Sequence, residues 1–256
     1  MSNLMAIAQL LDDAARHATA VPQLSTSGFT LDLAQAYQVQ AGSIDRRLAR
    51  GEQLVGVKMG FTSRAKMQQM GVDDLIWGRL TDGMALSDGG TLQLHHYVHP
   101  RVEPEIAFRL GSPLRGEISL AQAMAAVDAV AIAMEVIDSR YENFRFSLVD
   151  VVADNSSSSG FVIGPWQAPV ADIGTLPIKL LFDNTTVQQD SSAAILGNPY
   201  QSLVEAARLA AESGLTLEAG WIVLAGAATA ASALHPGTTV SAECPQLGSV
   251  ALTIAA

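Results

Sequence analysis

Basic residues, cysteine and long apolar runs are all scarce in this chain. Its 256 residues hold 15 Lys and Arg against 25 Asp and Glu, a net charge of −10. No stripe of Lys or Arg gathers anywhere, so a nucleic-acid backbone is repelled and no nucleic-acid partner is expected. The single cysteine, Cys244, excludes intramolecular disulfides, CxxC redox chemistry and thiolate zinc sites, and fits a reducing cytoplasm. The apolar stretch 221–234 is mostly Ala and Gly and falls short of the about 20 residues that a membrane span requires. The first eighteen residues lack a basic segment and carry Asp12 and Asp13 inside their apolar pattern, which a signal peptide does not. No membrane association is expected. Absent too are GxGxxG, GxxxxGK[ST] and GxSxG, which removes support for nicotinamide cofactors, P-loop nucleotides and the α/β-hydrolase nucleophile elbow.

What remains is apolar. Hydrophobic residues make up 49% and charged residues 16% of the chain, the latter well under the roughly 25% of typical soluble domains. Such a composition excludes a disordered chain and provides ample core for one large domain. So little charge also points to a surface covered by neighbouring subunits, and an oligomer is expected.

The periodicity predicts α+β. Leu4, Ile7, Leu10, Leu11 and Ala15 recur at helical spacing, and a second amphipathic segment covers 31–48, with Thr30 as its expected N-cap and Gly51 past its end. A strand-like run follows at 54–59. Beyond residue 80, short apolar runs between Gly, Pro, Asp and Asn predict strands at 91–94, 102–110, 132–137, 160–163, 178–182, 221–224, 238–242 and 249–254. Helices are expected at 119–130, capped by Ser119, and at 199–213.

The run HPRVEPEIAFRL at 99–110 carries the first chemical signal. On a strand, Glu103 and Glu105 point to one face and Val102, Pro104 and Ile106 to the other. Two carboxylates on a mostly buried strand repel one another, and a divalent cation removes that penalty; a solvated strand face is the plainer alternative. Glu135 lies in the apolar run AVAIAMEVID, where a lone carboxylate is costly unless something cationic or hydrogen-bonding meets it. Three carboxylates without His or Cys form a hard oxygen site of the kind that takes Mg²⁺ or Mn²⁺. Lys58, among Val55, Val57, Met59 and Phe61, either snorkels to the sheet edge or meets an anionic ligand. Asp82 in LTDGM reads as turn chemistry or as a general base. The run DNSSSSG at 154–160 reads equally as a flexible loop or an anion cradle. His95, His96 and His99 match no metal-binding spacing and are taken as surface or turn residues.

With these residues in view, VKMGFTSRAKMQQMGV, HPRVEPEIAF, EVIDSR and DVVADNSSSSGFVIG together resemble the 2-oxopent-4-enoate hydratase/4-oxalocrotonate decarboxylase family of the fumarylacetoacetate hydrolase superfamily. The resemblance runs from about residue 30 to the end. It implies a mixed β-sheet roll over 85–256 bearing the metal site, and a helical N-terminal part over 1–84 with a strand carrying Lys58. It implies Mg²⁺ or Mn²⁺ on Glu103, Glu105 and Glu135, and catalytic roles for Lys58 and Asp82, although this chain reads TDGM where the family reads ADM. VEPEIAFRL and LAGAATAA resemble the decarboxylase branch. The implied reaction is metal-dependent decarboxylation of a 2-oxo dicarboxylate, 2-oxo-3-hexenedioate, to 2-hydroxypenta-2,4-dienoate in meta-cleavage degradation of aromatics. Ser157 and Ser158 are then expected to orient a substrate carboxylate, and Val72, Leu75 and Ile76 to shield the leaving one. Because the product is unstable, a complex with the hydratase that consumes it is expected. The alternatives are hydration of 2-hydroxypentadienoate, acylpyruvate hydrolysis, and a non-catalytic subunit that stabilises a homologous hydratase.

Overall fold

The computed structural model describes residues 2–62 and 74–256. Helices α1 (Ser2–Arg16) and α2 (Leu33–Ala49) come first. Strands β1 (Leu54–Gly60), β2 (Ile76–Thr81), β3 (Ala85–Leu86), β4 (Thr91–Gln93), β5 (Arg101–Leu110), β6 (Val127–Ile137) and β7 (Ser158–Ile163) follow. After them come β8 (Pro177–Phe182), β9 (Thr185–Ser191), β10 (Ile222–Ala227), β11 (Ser232–Ala233), β12 (Thr239–Cys244) and β13 (Gly248–Ala255). Short helices Leu120–Ala126 and Leu148–Ala153 and the longer helix Tyr200–Glu212 interleave with the strands.

Among the described residues the strands form two sheets. One runs β2-β1-β10-β5-β6-β7-β3, with β11 also paired to β5, and the other runs β4-β13-β12-β8-β9. Mixed sheets flanked by helices bear out the α+β expectation. Strand alternation explains how they pack: Val102, Ile106 and Phe108 of β5 join Val240, Val250 and Leu252 in one apolar core, while Ala107, Ala133 and Leu224 face the opposite way, against Ile44 of α2 and Leu80. Glu103 and Glu105 share the parity of Ala107 and therefore lie on that second face. β1 and β2, although they precede residue 85, are hydrogen-bonded into the same sheet as β5–β7.

Several boundaries differ from expectation for local reasons. Thr30 is not the cap of α2. Asp32 takes that place, accepting from Gln35 N–H at 2.7 Å while its own N–H donates to Gln35 Oε1 at 3.0 Å. Ser119 does cap its helix, in the same reciprocal way with Gln122. That helix stops at Ala126, however, where the run of Val, Ile and Ala is drawn into β6 by pairing with β5 on one side and β7 on the other. β2 and β9 and the helix Leu148–Ala153 had no periodic signal long enough to predict them. Among the described residues no helix is long and apolar enough to cross a membrane.

Candidate metal centre and substrate cleft

The β5–β6 register builds the centre. Glu103 pairs directly with Glu135, and Glu105 lies opposite Ala133; opposed residues of antiparallel strands share a face, so all three carboxylates converge. One oxygen of each lies within 4.8 Å of the others, and all three residues are buried. Lys58 arrives through the neighbouring strands. It pairs with Leu224 of β10, which in turn pairs with Ala107 of β5, so its side chain projects on the same face. Its Nζ stands 3.0 Å from Glu135 Oε2, with the lysine 4% and the glutamate 0% exposed.

A local irregularity completes the arrangement. Pro104 lacks the N–H that an interior strand position normally donates. The β10–β5 ladder shifts register here, between Leu224 and Ala227, and Ala228 N–H donates to Pro104 O at 2.9 Å. In the bulge so formed, Gly226 has φ +108° and its N–H donates to Glu105 Oε2 at 2.8 Å. A Cβ on Gly226 would lie 2.1 Å from Thr62 Oγ1 and 2.7 Å from Thr62 Cβ. Gly226→Ala therefore meets both a clash and a left-handed backbone. We expect it to lower stability by about 2–4 kcal/mol in urea unfolding; a midpoint equal to that of the unsubstituted chain would contradict the bulge.

The three carboxylates carry three negative charges when all are ionised, and Lys58 offsets one of them through its pair with Glu135. Burial, and then the charge of Glu135, push Glu105 well above the ordinary carboxylate pKa against the pull of Lys58. Burial also raises Glu135, an effect that Lys58 opposes. Burial works to lower the Lys58 pKa, but Glu135, Glu105 and Glu103 outweigh it and hold the value above that of an ordinary lysine. Glu105 Oε1 and Glu135 Oε1 have no hydrogen-bond partner among the described residues. Buried Glu105 and Glu135 oxygens without donors among the described residues, in an all-oxygen set, fit a hard divalent cation.

A cavity of about 290 Å³ opens onto Glu103 and Lys58, with Phe61, Ile76, Phe144 and Phe146 as apolar wall and Arg101 and Ser157 as polar wall. Its floor is a strained turn. Asn155, Ser156 and Ser157 all have positive φ, between 51° and 60°, and side chains pin them to β2. Asn155 Oδ1 accepts from Arg79 N–H at 2.8 Å, Asn155 Nδ2 donates to Arg79 O at 2.9 Å, and Ser156 Oγ donates to Trp77 O at 2.7 Å. Asp154 is tied to the buried Arg140 guanidinium. The run is thus a braced turn rather than a loose loop, and it leaves Ser157 Oγ buried with no partner among the described residues. Ser158 is buried beside it, and its Oγ likewise has no hydrogen-bond partner among the described residues.

The structure brings Lys58, Glu103, Glu105, Glu135, Ser157 and Ser158 together. It does not bring Asp82 to them: that residue is exposed, and its carboxylate accepts from Gln53 N–H at 2.9 Å. It sits four positions along from Gly78, the β2 partner of Lys58, or about 13 Å at strand rise. This is the turn role weighed for it above. Leu75 packs against the inter-sheet core while its neighbour Ile76 lines the cleft. Val72 lies outside the described residues. Sequence reading missed Arg101, Phe144 and Phe146. For Arg101 a signal existed, since it shares the strand parity of Glu103 and Glu105.

Comparison with known proteins places this geometry. The fumarylacetoacetate (FAA) hydrolase C-terminal family model matches residues 64–255. A 4-oxalocrotonate decarboxylase from a Pseudomonas species is 55% identical over 247 residues, 96% of either chain. A 2-keto-4-pentenoate hydratase from Paraburkholderia xenovorans strain LB400 is 35% identical over 223 residues, covering 86% of this chain and 83% of the relative. Among solved structures, the 4-oxalocrotonate decarboxylase from Pseudomonas putida G7, complexed with magnesium and adipate, superposes with a TM-score of 0.95 at 37% identity, over 99% of this chain and 97% of that one.

Proposed function

Since this chain belongs to the fumarylacetoacetate (FAA) hydrolase family, we propose that it is a carboxy-lyase, and that it decarboxylates 2-oxo-3-hexenedioate (4-oxalocrotonate) to 2-hydroxypenta-2,4-dienoate in the breakdown of aromatic compounds. The observation that carries this reading is the convergence of three buried carboxylates within 4.8 Å of one another at the end of a cleft. The similarity to a decarboxylase at 55% identity, against 35% for a hydratase, favours decarboxylation over hydration. The position of Asp82, exposed and bonded to Gln53 N–H, also leaves hydration without the base sought for it.

Glu103, Glu105 and Glu135 would hold Mg²⁺ or Mn²⁺, which supplies a Lewis acid at the 2-oxo acid head of the substrate. The bond between C5 and the distal carboxylate breaks, CO₂ departs, the electron pair is spread through the alkene to the 2-oxo oxygen, and that oxygen takes up a proton from water to give the 2-hydroxy dienoate. Lys58 faces the region where this negative charge grows and stabilises it more than the ground state. Ser157, with its free buried hydroxyl, donates to a substrate oxygen and fixes the head. Phe61, Ile76, Phe144 and Phe146 keep water from the departing carboxylate, which favours loss of its charge. A larger assembly, contact with the hydratase that consumes the product, and a cytoplasmic setting belong to the same proposal. They rest on the 16% charge, the instability of the dienol and the single cysteine.

The purified protein with Mg²⁺ is expected to release one CO₂ per molecule of diacid consumed, together with the ultraviolet absorbance of the dienol, and to leave 2-hydroxypentadienoate unhydrated. Hydration of that dienol without CO₂ release from the diacid would overturn the reading.

A further inference from the structure

We propose that Arg101 determines specificity by receiving the second carboxylate of the substrate, on a platform built by Phe144. The inference rests on the reading above that the substrate is a 2-oxo diacid. Arg101 opens β5 opposite Ile137, two residues before Glu103. It therefore points to the same sheet face as the carboxylate centre, displaced by about 7 Å along the strand, which is the direction in which a diacid anchored at its 2-oxo head extends. Both Arg101 and Glu103 line the cleft.

Among the described residues, the two cations that line the cleft are differently engaged. Lys58 is committed to Glu135 at 3.0 Å. Arg101 forms no ion pair among the described residues; its guanidinium lies 4.3 Å from the centroid of the Phe144 ring. An aromatic face orients a guanidinium without occupying the in-plane N–H fork that matches a carboxylate.

Phe144 is held for this position at a conformational cost. It has φ 56° and follows Asn143 at φ 59°, a left-handed conformation that a bulky side chain rarely adopts. Its ring is flanked by His99 at 5.2 Å and Phe146 at 5.7 Å. His99 is itself anchored, since its N–H and that of Val98 both donate to the Asp138 carboxylate at 2.8 Å, just past the end of β6. The strained turn, the ring stack and the anchored segment thus converge on presenting to the cleft a guanidinium that has no ion pair among the described residues.

The chemistry fixes what Arg101 contributes. The distal carboxylate loses its charge as CO₂ departs, so a contact to it is stronger in the ground state than in the transition state. Arg101 therefore selects and holds the diacid without hastening bond cleavage. Arg101→Gln is expected to raise KM for the diacid by about 10- to 100-fold, with kcat unchanged or higher. A residue needed only for folding would lower kcat as well.

The deciding measurement is calorimetric titration of the Mg²⁺-loaded protein with 2-oxohexanedioate and with 2-oxohexanoate, saturated analogues of equal chain length that are not turned over. The unsubstituted chain should bind the diacid at least tenfold more tightly, and Arg101→Gln should bind both with the affinity of the monoacid. Arg101→Lys, which keeps charge but not the fork, should retain a reduced preference; it decides the matter if Arg101→Gln loses both ligands through misfolding. An undiminished diacid preference in either variant overturns the proposal. Equal binding of the two acids by the unsubstituted chain overturns it too, while leaving the decarboxylase reading intact. Failure of either acid to bind in a Mg²⁺-dependent manner overturns the parent reading and this one with it.

Discussion

Glu105→Gln is expected to abolish Mg²⁺-dependent turnover, by about three orders of magnitude or more, while the fold survives. The substitution is nearly isosteric, and the glutamine oxygen can still accept the Gly226 N–H that now donates to Glu105 Oε2. The Lys58–Glu135 pair also remains. What disappears is one of the three carboxylates proposed to hold the metal, and a loss of about 4 kcal/mol in charge stabilisation corresponds to roughly a thousandfold in rate. A thermal-shift titration separates the two effects. Mg²⁺ at a hundred times its dissociation constant stabilises a folded protein by about 2.7 kcal/mol, so the unsubstituted chain should show a clear rise in Tm. Glu105→Gln should show little or none. Without metal, the variant should be at least as stable as the parent, because a neutral amide replaces a buried carboxyl whose ionised form would repel two others. In the unsubstituted chain, burial and Glu135 raise the Glu105 pKa, so Mg²⁺, which needs the carboxylate ionised, competes with a proton there and its affinity should climb with pH. An equal Mg²⁺-induced rise in Tm, together with preserved turnover, would remove Glu105 from the centre.

Lys58→Met should have the opposite signature. The side chain is 4% exposed and its ammonium is the counter-ion of Glu135. Methionine matches its length but leaves the buried Glu135 carboxylate without the ammonium that stands 3.0 Å from it. Removing one partner of a buried pair typically costs about 3–5 kcal/mol, and chemical denaturation without metal should report a loss of that size. Mg²⁺ should restore part of this stability, since a divalent ion neutralises the same carboxylates, yet turnover should stay low because the group proposed to stabilise the growing negative charge is gone. The pair of results distinguishes a charge needed for assembly from a charge needed for the reaction. Unaltered stability and unaltered turnover together would show that Lys58 merely fills space.

The centre was legible in the sequence to the extent that it depends on local rules. Glu103 and Glu105 are two residues apart on a strand, so a common face follows from the pleat alone. Glu135 stood out as a lone carboxylate in an apolar run, and burial made it costly without a partner. The same parity rule placed Arg101 beside them, although attention to carboxylates passed over the cation. Phe144 gave no such signal, because nothing in YENFRF announces two successive left-handed residues. Ile76 rather than Leu75 reaches the cleft because of the phase in which β2 enters the sheet, and a shift of one residue reverses every side chain.

The sequence by itself determined the α+β character, the shortage of charge and the oxygen-rich character of the candidate centre. These depend on composition and on repeats a few residues long. Only the tertiary structure decided that Glu135 stands opposite Glu103, that Lys58 reaches them through β10, that Asp82 remains at an exposed turn, and that Arg101 rests on Phe144. Each of these depends on which strands pair and in what register. That choice is made by burial and hydrogen bonding across the whole sheet rather than by any residue's near neighbours in the chain.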